Sequence, residues 1–285
     1  MISPYVRRLR LAREVRALRA ERNVTSEGLA KSAGLTRSTI SRMENGHGCE
    51  PGDIMRVLDA LDVEGDRWAE IFTIAREANE RGWWESNKEM GRRQALYADL
   101  EAGAAAIREF QMVFLPGLLQ SPEFTRSRVE AEDLGGPTGR VADRSVQARV
   151  ARQRMLRRPG GPSYDVIIDE LAIRRRAASA EIVRAQLYQI ASRVNGDPRT
   201  TVRVLPIEAV IDGYKLPRSA FSIYSFPSGD PTVVAVDTVT DDLVLTDDSD
   251  VERYETLYER LRDAALPVDE SLNLLISATA SLSES

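Results

Sequence analysis

The sequence predicts two domains of different class: an all-α, five-helix N-terminal domain and a larger mixed α/β (α+β) C-terminal domain. Residues 6–81 carry helical apolar spacing that only short turns interrupt. Short β-branched or aromatic runs, which are typical of strands, appear only after residue 160. The chain has 285 residues, 42% of them hydrophobic, which is enough for two cores. We therefore place the domains at residues 1–82 and 83–285.

The five N-terminal helices are marked by residues that start or stop helices. The apolar stripe of the first helix consists of Leu11, Val15 and Leu18. The residues predicted to cap or begin the second, third and fourth helices are Thr25, Thr36 and Pro51. Turns at Gly34 and at Asn45-Gly46 end the second and third helices. The fifth helix follows Asp66, and its apolar side includes Ile71 and Phe72.

The C-terminal domain begins near residue 83, where the residue pattern of the sequence changes. We predict an alanine-rich helix over 91–113, a break at Pro116–Gln120, a loop over 133–139 and a strongly basic helix over 140–158. Five strands are predicted beyond the turn at residues 159–162, namely Tyr164–Ile168, Thr201–Leu205, Phe221–Phe226, Thr232–Val236 and Leu243–Leu245. Further helices are predicted near 180–194, 250–264 and 268–280.

The charge of the chain is distributed unevenly. Residues 1–46 hold ten Lys and Arg residues against four Glu residues, a net charge of +6, which leaves −11 for the rest of a chain whose total is −5. A basic head on an acidic body concentrates positive potential where a polyanion could dock. Within the first helix, a solvated face is the preferred interpretation of the cations, with phosphate contact as the alternative; they are Arg7, Arg8, Arg10 and Arg13.

Composition excludes several classes of function. The single cysteine, Cys49, precludes an internal disulfide, and the single histidine, His47, lies only two residues away. A His/Cys zinc site and a His-dependent catalytic triad are therefore not expected, and we predict no metal, no cofactor and no enzymatic activity. No run approaches the roughly 18 apolar residues of a membrane span, and no secretory signal is visible. The predicted location is the cytoplasm, at the nucleoid.

Residues 25–46 contain the most informative pattern: a capped helix, a glycine turn and a second capped helix. The short connection forces the two helices to cross steeply, with the small Ala30 at their closest approach and Leu35 and Ile40 between them. The second helix then presents a short polar face that includes Arg37 and Arg42. Such a helix fits the major groove of DNA, where arginine is the commonest reader of guanine.

This segment resembles the helix-turn-helix of phage-repressor and Xre-like proteins. The matching residues are Thr25, Leu29, Ala30, Gly34, Leu35, Ile40, Ser41, Glu44, Asn45 and Gly46. The resemblance implies base reading by the first residues of the recognition helix, phosphate contacts by Ser26 and Asn45, and a structural ion pair between Arg19 and Glu44. The DNA contacts we predict are Ser26, Lys31, Thr36, Arg37, Ser38, Thr39, Ser41, Arg42, Asn45 and His47.

Two positions depart from the pattern of that family. Many relatives have Gln where Ser26 stands, which predicts a weaker phosphate contact. Gly28 is interpreted as a mid-helix residue, which costs about 1 kcal/mol against alanine and predicts a flexible start to the helix.

The larger domain resembles actinomycete regulators of the WhiJ-like type, which join an Xre-like head to a C-terminal domain of unknown function. The matching stretches are 116–120, 148–153, 169–171, 186–187, 202–206, 264–266 and 270–271. The resemblance implies a transcriptional regulator, and genes of that family often lie beside one for a small partner protein.

Outside the N-terminal domain, the sequence leaves the roles of several segments open. The basic helix 140–158 is either a second DNA contact or the partner of the acidic run 237–252, which we interpret as an exposed loop rather than a cation site. Residues 116–120 and 221–226 either line a small-molecule pocket or belong to the core, which is the preferred interpretation. The glycines at 135–139 lack the ending of a phosphate loop.

The sequence thus predicts a DNA-binding transcriptional regulator that binds double-stranded operator DNA as a homodimer. Its C-terminal domain would dimerise and sense a small-molecule effector or a partner protein. The first alternative is an antitoxin-like protein that binds a small partner protein and autoregulates its own operon. An enzyme fused to a DNA-binding head is the second alternative, and the missing catalytic motifs disfavour it.

Overall fold

The computed structural model describes residues 1–86, 90–132, 138–227, 229–238 and 242–282. The chain divides into two compact units. Unit 1 consists of Met1–Asn87, Ala95–Gly103 and Phe226–Pro231, and unit 2 consists of Lys88–Gln94, Ala104–Ser225 and Thr232–Ser285. Unit 1 therefore continues past residue 82 to Asn87 and also includes two segments that are remote in the sequence.

Unit 1 contains the five predicted helices. They are α1 (Pro4–Glu21), α2 (Ser26–Ser32), α3 (Arg37–Glu44), α4 (Pro51–Ala60) and α5 (Gly65–Ala78), and a short α6 (Trp83–Ser86) follows. One apolar cluster joins α1 to α5; its fully buried members include Val15, Leu29, Ile40, Ile54, Leu58 and Ile71. Burial of these side chains is the main favourable contribution to the stability of this small unit.

The start of α1 packs closely against the end of α7 (Arg92–Gly103), whose residues 95–103 belong to unit 1. Ser3 caps α1 by accepting from the Val6 amide, and its hydroxyl donates to buried Asp99. A Cβ on Gly103 would lie 2.5 Å from the Ser3 nitrogen, so only glycine fits there. Burial raises the pKa of Asp99 to about 6, and the hydrogen bond from Ser3 partly opposes that shift.

The predicted helix over 91–113 is wrong in its second half. The helix α7 ends at Gly103, and Ala106–Gln111 forms the strand β1. The reason is tertiary: β1 pairs with two other strands, and these pairings override the helical preference of its alanine-rich neighbourhood. Buried polar residues at Glu109 and Gln111 also remove the polar and apolar alternation that would mark a strand.

Unit 2 is built on a six-stranded mixed sheet. After β1 come β2 (Ser163–Asp169), β3 (Thr200–Leu205), β4 (Phe221–Ser225), β5 (Val233–Val236) and β6 (Leu243–Leu245). Their order across the sheet is β3-β2-β1-β4-β5-β6, with β1, β2 and β3 parallel and the β1–β4, β4–β5 and β5–β6 pairs antiparallel. All five predicted strands are confirmed, and the C-terminal region is an α+β domain.

Helices connect and cover these strands. They are α8 (Pro122–Glu132), α9 (Thr138–Leu156), α10 (Glu170–Arg174), α11 (Ala180–Gly196), α12 (Asp248–Ala264) and α13 (Val268–Ala280). The predicted loop over 133–139 lies outside the described residues at 133–137, and Thr138 already begins α9. No described helix combines the length and the apolar run that a bilayer crossing requires.

The structure corrects the prediction for the acidic segment of unit 2 and gives partners for part of its basic helix. The acidic run 237–252 is not one exposed loop, because Asp247 caps α12 by accepting from the Ser249 amide, and Asp248 and Glu252 lie within that helix. Earlier in the run, Asp242 pairs with Arg93 at 2.7 Å. In the basic helix α9, Arg149 donates to Gln120 and Arg152 to Gln94. Part of the charge in both segments is therefore used within unit 2.

One buried acid lies in the middle of the sheet. Glu109 of β1 accepts hydrogen bonds from the Tyr164 hydroxyl at 2.5 Å and the Gln111 side-chain amide at 2.8 Å. Burial raises the pKa of Glu109 to about 7, although both hydrogen bonds favour the ionised form. The stability of unit 2 should therefore depend on pH near neutrality.

We expect Glu109→Gln to remove that dependence. The raised pKa means that the folded state binds a proton more tightly than the unfolded state. Its stabilising contribution is therefore complete below the usual pKa of the carboxyl and is lost as the pH rises through about 7. Between pH 5 and 8, the stability of unit 2 should fall by about 2.5 kcal/mol more in the wild type than in Glu109→Gln. Hydrogen exchange of the β1 amides measures this, and equal pH dependence in both proteins would contradict it.

Candidate nucleic-acid interface

The turn between α2 and α3 fixes the crossing of these two helices. Gly34 has a left-handed backbone with φ of 64°. The Leu35 amide donates to the Ala30 carbonyl at 2.8 Å, and the Gly34 amide donates to the Lys31 carbonyl at 3.3 Å. These two bonds are those of a Schellman motif, which ends α2 and brings Leu35 back onto the core. The chain then enters α3 at a steep angle.

Local hydrogen bonds define both ends of α3. Thr36 caps its start by accepting from the Thr39 amide at 3.1 Å. Gly46, with φ of 74°, closes a second Schellman motif in which the His47 amide donates to the Arg42 carbonyl at 3.0 Å. Thr25 caps α2 in the same way by accepting from the Gly28 amide. Gly28 therefore belongs to the first turn of α2, and the prediction of a mid-helix position is wrong.

The two faces of α3 differ sharply. Its buried face consists of Ile40, Met43 and Glu44. The opposite face is exposed and includes the predicted base-reading residues. It consists of Arg37, Ser38, Ser41, Arg42 and Asn45. The last four of these residues lie one, four, five and eight positions after Arg37. At helical spacing, these positions share one side of the helix. The result is a short, polar and cationic ridge.

The remaining predicted contacts surround this ridge in the sequence. Lys31 near the end of α2, Thr36 at the cap of α3 and His47 after its end are exposed. Thr39 is half-buried, and its hydroxyl lies 2.9 Å from that of Thr36. Ser26, at the first position of α2, is also half-buried.

The cations of unit 1 fall into two groups. In α1, Arg7 pairs with Glu77 at 3.0 Å and with Asp230 at 3.1 Å, and Arg10 pairs with Glu70 at 2.6 Å. The predicted solvated face is therefore wrong for these two residues, whose side chains are only 15% and 13% exposed. In the described part of the chain, Lys31, Arg37 and Arg42 form no ion pair. Two of these three cations lie on α3 and the third lies near the end of α2, so this region carries positive charge that no described acid pairs.

A hydrogen-bonded network holds α3 against α1 and α2. The buried Glu44 carboxylate accepts from Arg19 Nε at 2.5 Å and from the Ser26 hydroxyl at 3.1 Å. Arg19 also donates to the Val24 carbonyl at 2.9 Å, just before α2. Arg16 donates to the Glu44 carbonyl at 2.9 Å. One carboxylate thereby joins three helices and fixes the orientation of the exposed ridge.

The two predicted phosphate contacts are partly engaged within the protein. The single hydroxyl proton of Ser26 is directed at Glu44, so its use for a phosphate requires the side chain to rotate. The Asn45 side-chain amide donates to the Ser41 carbonyl at 2.7 Å and to the Ser41 hydroxyl at 3.3 Å, so a phosphate contact would replace the longer of these two bonds.

Comparison with protein families gives two matches. A model described as a helix-turn-helix domain matches residues 10–71, which contain α2, the turn and α3. A second model, described as a domain of unknown function (DUF5753), matches residues 94–277, more than half of the chain. The chain belongs to the DUF5753 family. No curated protein and no solved structure matches this DUF5753 protein.

Several residues that support the candidate interface of this DUF5753 protein have little or no signal in the sequence. Arg16 gave a weak signal, because it lies three positions before Arg19 on the same side of α1. Asp230 gave none, since its partners Arg7 and Arg10 are remote in the sequence. In the described part of the chain, no group of three or more His, Cys, Asp or Glu residues could hold a metal ion.

Proposed function

We propose that this DUF5753 protein is a sequence-specific transcriptional regulator that inserts α3 into the major groove of its operator. The observation that carries the proposal is the exposed ridge of α3, where Arg37 and Arg42 project without an acidic partner in the described residues. A cation with no partner keeps its charge available for DNA. The match of residues 10–71 to a helix-turn-helix domain gives independent support.

In this proposal, base reading and phosphate binding are divided between different residues. Arg37 and Arg42 would each donate two hydrogen bonds to a guanine edge, and Ser38 would contact a neighbouring base. Phosphate contacts from Lys31, Asn45 and other residues around α3 would fix the register of the helix on the duplex. The network at Glu44 limits the freedom of α3, which lowers the entropic cost of docking.

The direct test is selection from a pool of genomic DNA fragments. The intact protein is incubated with the pool at two salt concentrations, and the retained fragments are sequenced. A shared motif that persists at the higher salt supports sequence-specific binding, since non-specific phosphate binding weakens steeply with salt. Retention without any common motif would contradict the proposal.

We also propose that the protein is a cytoplasmic regulator of the WhiJ-like type, and that unit 2 dimerises and senses an effector or a partner protein. One recognition helix spans too few base pairs to specify an operator, so such heads usually act in pairs about one helical turn apart. Unit 2 offers apolar side chains for an interface: Ile207, Val210 and Tyr214 are 62–85% exposed. Neither a cofactor nor an enzymatic step is part of this proposal.

The intact chain is expected to sediment as a dimer at about twice its mass of 31.7 kDa. A fragment ending at residue 82 is unsuitable for this measurement, because it lacks Asp99 and Asp230, which bind α1 within unit 1. The operator should then contain two half-sites with centres about one helical turn apart. A monomer throughout the micromolar range would refute dimerisation, and co-purification of a small protein would favour the antitoxin-like alternative.

A further inference from the structure

We propose that a groove in unit 2 binds a small amphipathic anion, one with an aromatic or aliphatic body and a carboxylate or phosphate group. The groove lies between the segment 215–219 and α12 and has a volume of about 920 Å³. The inference rests on the sensing role proposed above and gives it a site and a class of ligand.

The apolar part of the groove is formed by two aromatic and two aliphatic side chains. Phe221, at the start of β4, is buried, and its ring packs at 4.9 Å and 65° against that of Tyr254 on α12. Leu257 lies one turn further along α12, and Leu216 lines the groove from the opposite segment. This surface suits a flat or extended apolar body of a few rings or one alkyl chain.

The polar part of the groove carries excess positive charge. Lys215, Arg218 and Arg260 line it, and within the described residues none of the three forms an ion pair or a side-chain hydrogen bond. The groove also contains Arg253, which lies 3.7 Å from Asp250, and one acid, Glu252. Three cations that are unpaired in the described residues, with a fourth beside Asp250, outnumber the single lining acid Glu252, so an anionic group is the complementary partner.

Arg260 is the cation best placed to orient such a group. It is half-buried on α12, and a Cβ built on Gly213 would lie 3.7 Å from its Nη1 atom. Its guanidinium thus lies near the backbone at Gly213 and is partly desolvated, whereas Lys215 and Arg218 are exposed. The planar fork of a guanidinium matches a carboxylate or phosphate through two parallel hydrogen bonds, which an ammonium group cannot do.

The size of the groove favours a small molecule over an acidic protein segment. Its volume falls in the range of about 300–1,000 Å³ that is usual for small-molecule sites. A protein interface would instead require roughly 800 Å² on each partner, far more surface than twelve lining residues provide.

The test is calorimetric titration of the intact protein with three probes of the same body: naphthoate, naphthyl phosphate and neutral naphthamide. At least one anion should bind at least about tenfold more tightly than the amide, because only an anion gains charge-assisted hydrogen bonds. The anion that binds more tightly shows whether the natural ligand carries a carboxylate or a phosphate group. Equal affinity for all three, or no binding, would overturn the proposal.

Two variants locate the site. Arg260→Gln should weaken binding of the preferred anion by about tenfold and leave the amide unaffected. Thr256→Trp, an exposed position on α12, should fill the groove and abolish binding of every probe. The matched control is Arg184→Gln, because Arg184 on α11 is also half-buried, forms no ion pair in the described residues and lies outside the groove. An equal loss in the control would overturn the assignment.

The same titrations separate this proposal from the proposed regulation. Operator affinity is measured with and without the preferred anion. If the anion binds through Arg260 and operator affinity is unchanged, the groove is a binding site and the sensing role fails. If the anion does not bind while the operator is still recognised, the groove proposal fails and DNA binding stands. A natural partner protein that binds at Thr256 in place of the anion would also refute the groove proposal.

Discussion

Replacing Arg37 or Arg42 with Ala is expected to weaken operator binding by about 1–3 kcal/mol each and to relax the sequence preference. Both side chains project from the exposed face of α3, and neither has an acidic partner in the described residues, so their removal should not disturb the fold. Each would take away a guanine contact, so the loss should be larger for the operator than for random DNA. Competition binding with the selected motif and scrambled DNA measures both affinities.

The control for this experiment is Arg76→Ala. Arg76 is an exposed arginine on α5 that forms no ion pair in the described residues, so the change of charge is the same. It should reduce affinity for both DNAs slightly and by the same factor, because it alters only the long-range field. If the α3 variants behave like Arg76→Ala, they act by charge alone, and the assignment of base contacts is wrong.

The head of this protein is predictable because its signals are local. The caps at Thr25 and Thr36 and the turns at Gly34 and Gly46 each involve hydrogen bonds within five residues, so the sequence contains both partners. The exposed ridge of α3 follows from the same helical spacing that buries Ile40. The Arg19 and Glu44 pair came instead from resemblance to a family, since spacing alone does not bring α1 against α3.

What the sequence did not reveal depends on remote partners. The strand β1 exists because it pairs with β2 and β4, which follow much later in the chain, and its own residues resemble the end of a helix. Likewise, Asp99 and Asp230 complete unit 1 from positions beyond the predicted domain boundary. The charged groove of unit 2 combines Lys215 and Arg260, which no local pattern connects.

The second large effect is expected at the network beneath α3. Arg19→Met should destabilise unit 1 by about 3 kcal/mol, because it leaves the Glu44 carboxylate, only 10% exposed, with the Ser26 hydroxyl as its remaining side-chain donor. We expect the lower end of the usual range, since the Arg19 side chain is 25% exposed and partly solvated. All three tryptophans, Trp68, Trp83 and Trp84, belong to unit 1, so tryptophan fluorescence during urea unfolding reports on this unit.

The double variant Arg19→Met with Glu44→Leu distinguishes a buried charge from a simple loss of contacts. If the cost of Arg19→Met comes from stranding the carboxylate, removing that carboxylate should restore about half or more of the lost stability. Operator binding should nevertheless remain impaired, because the Ser26 and Arg19 bonds that orient α3 are absent. Additive destabilisation in the double variant would show that the two residues act independently, and Glu44 would then not be the residue that joins the three helices.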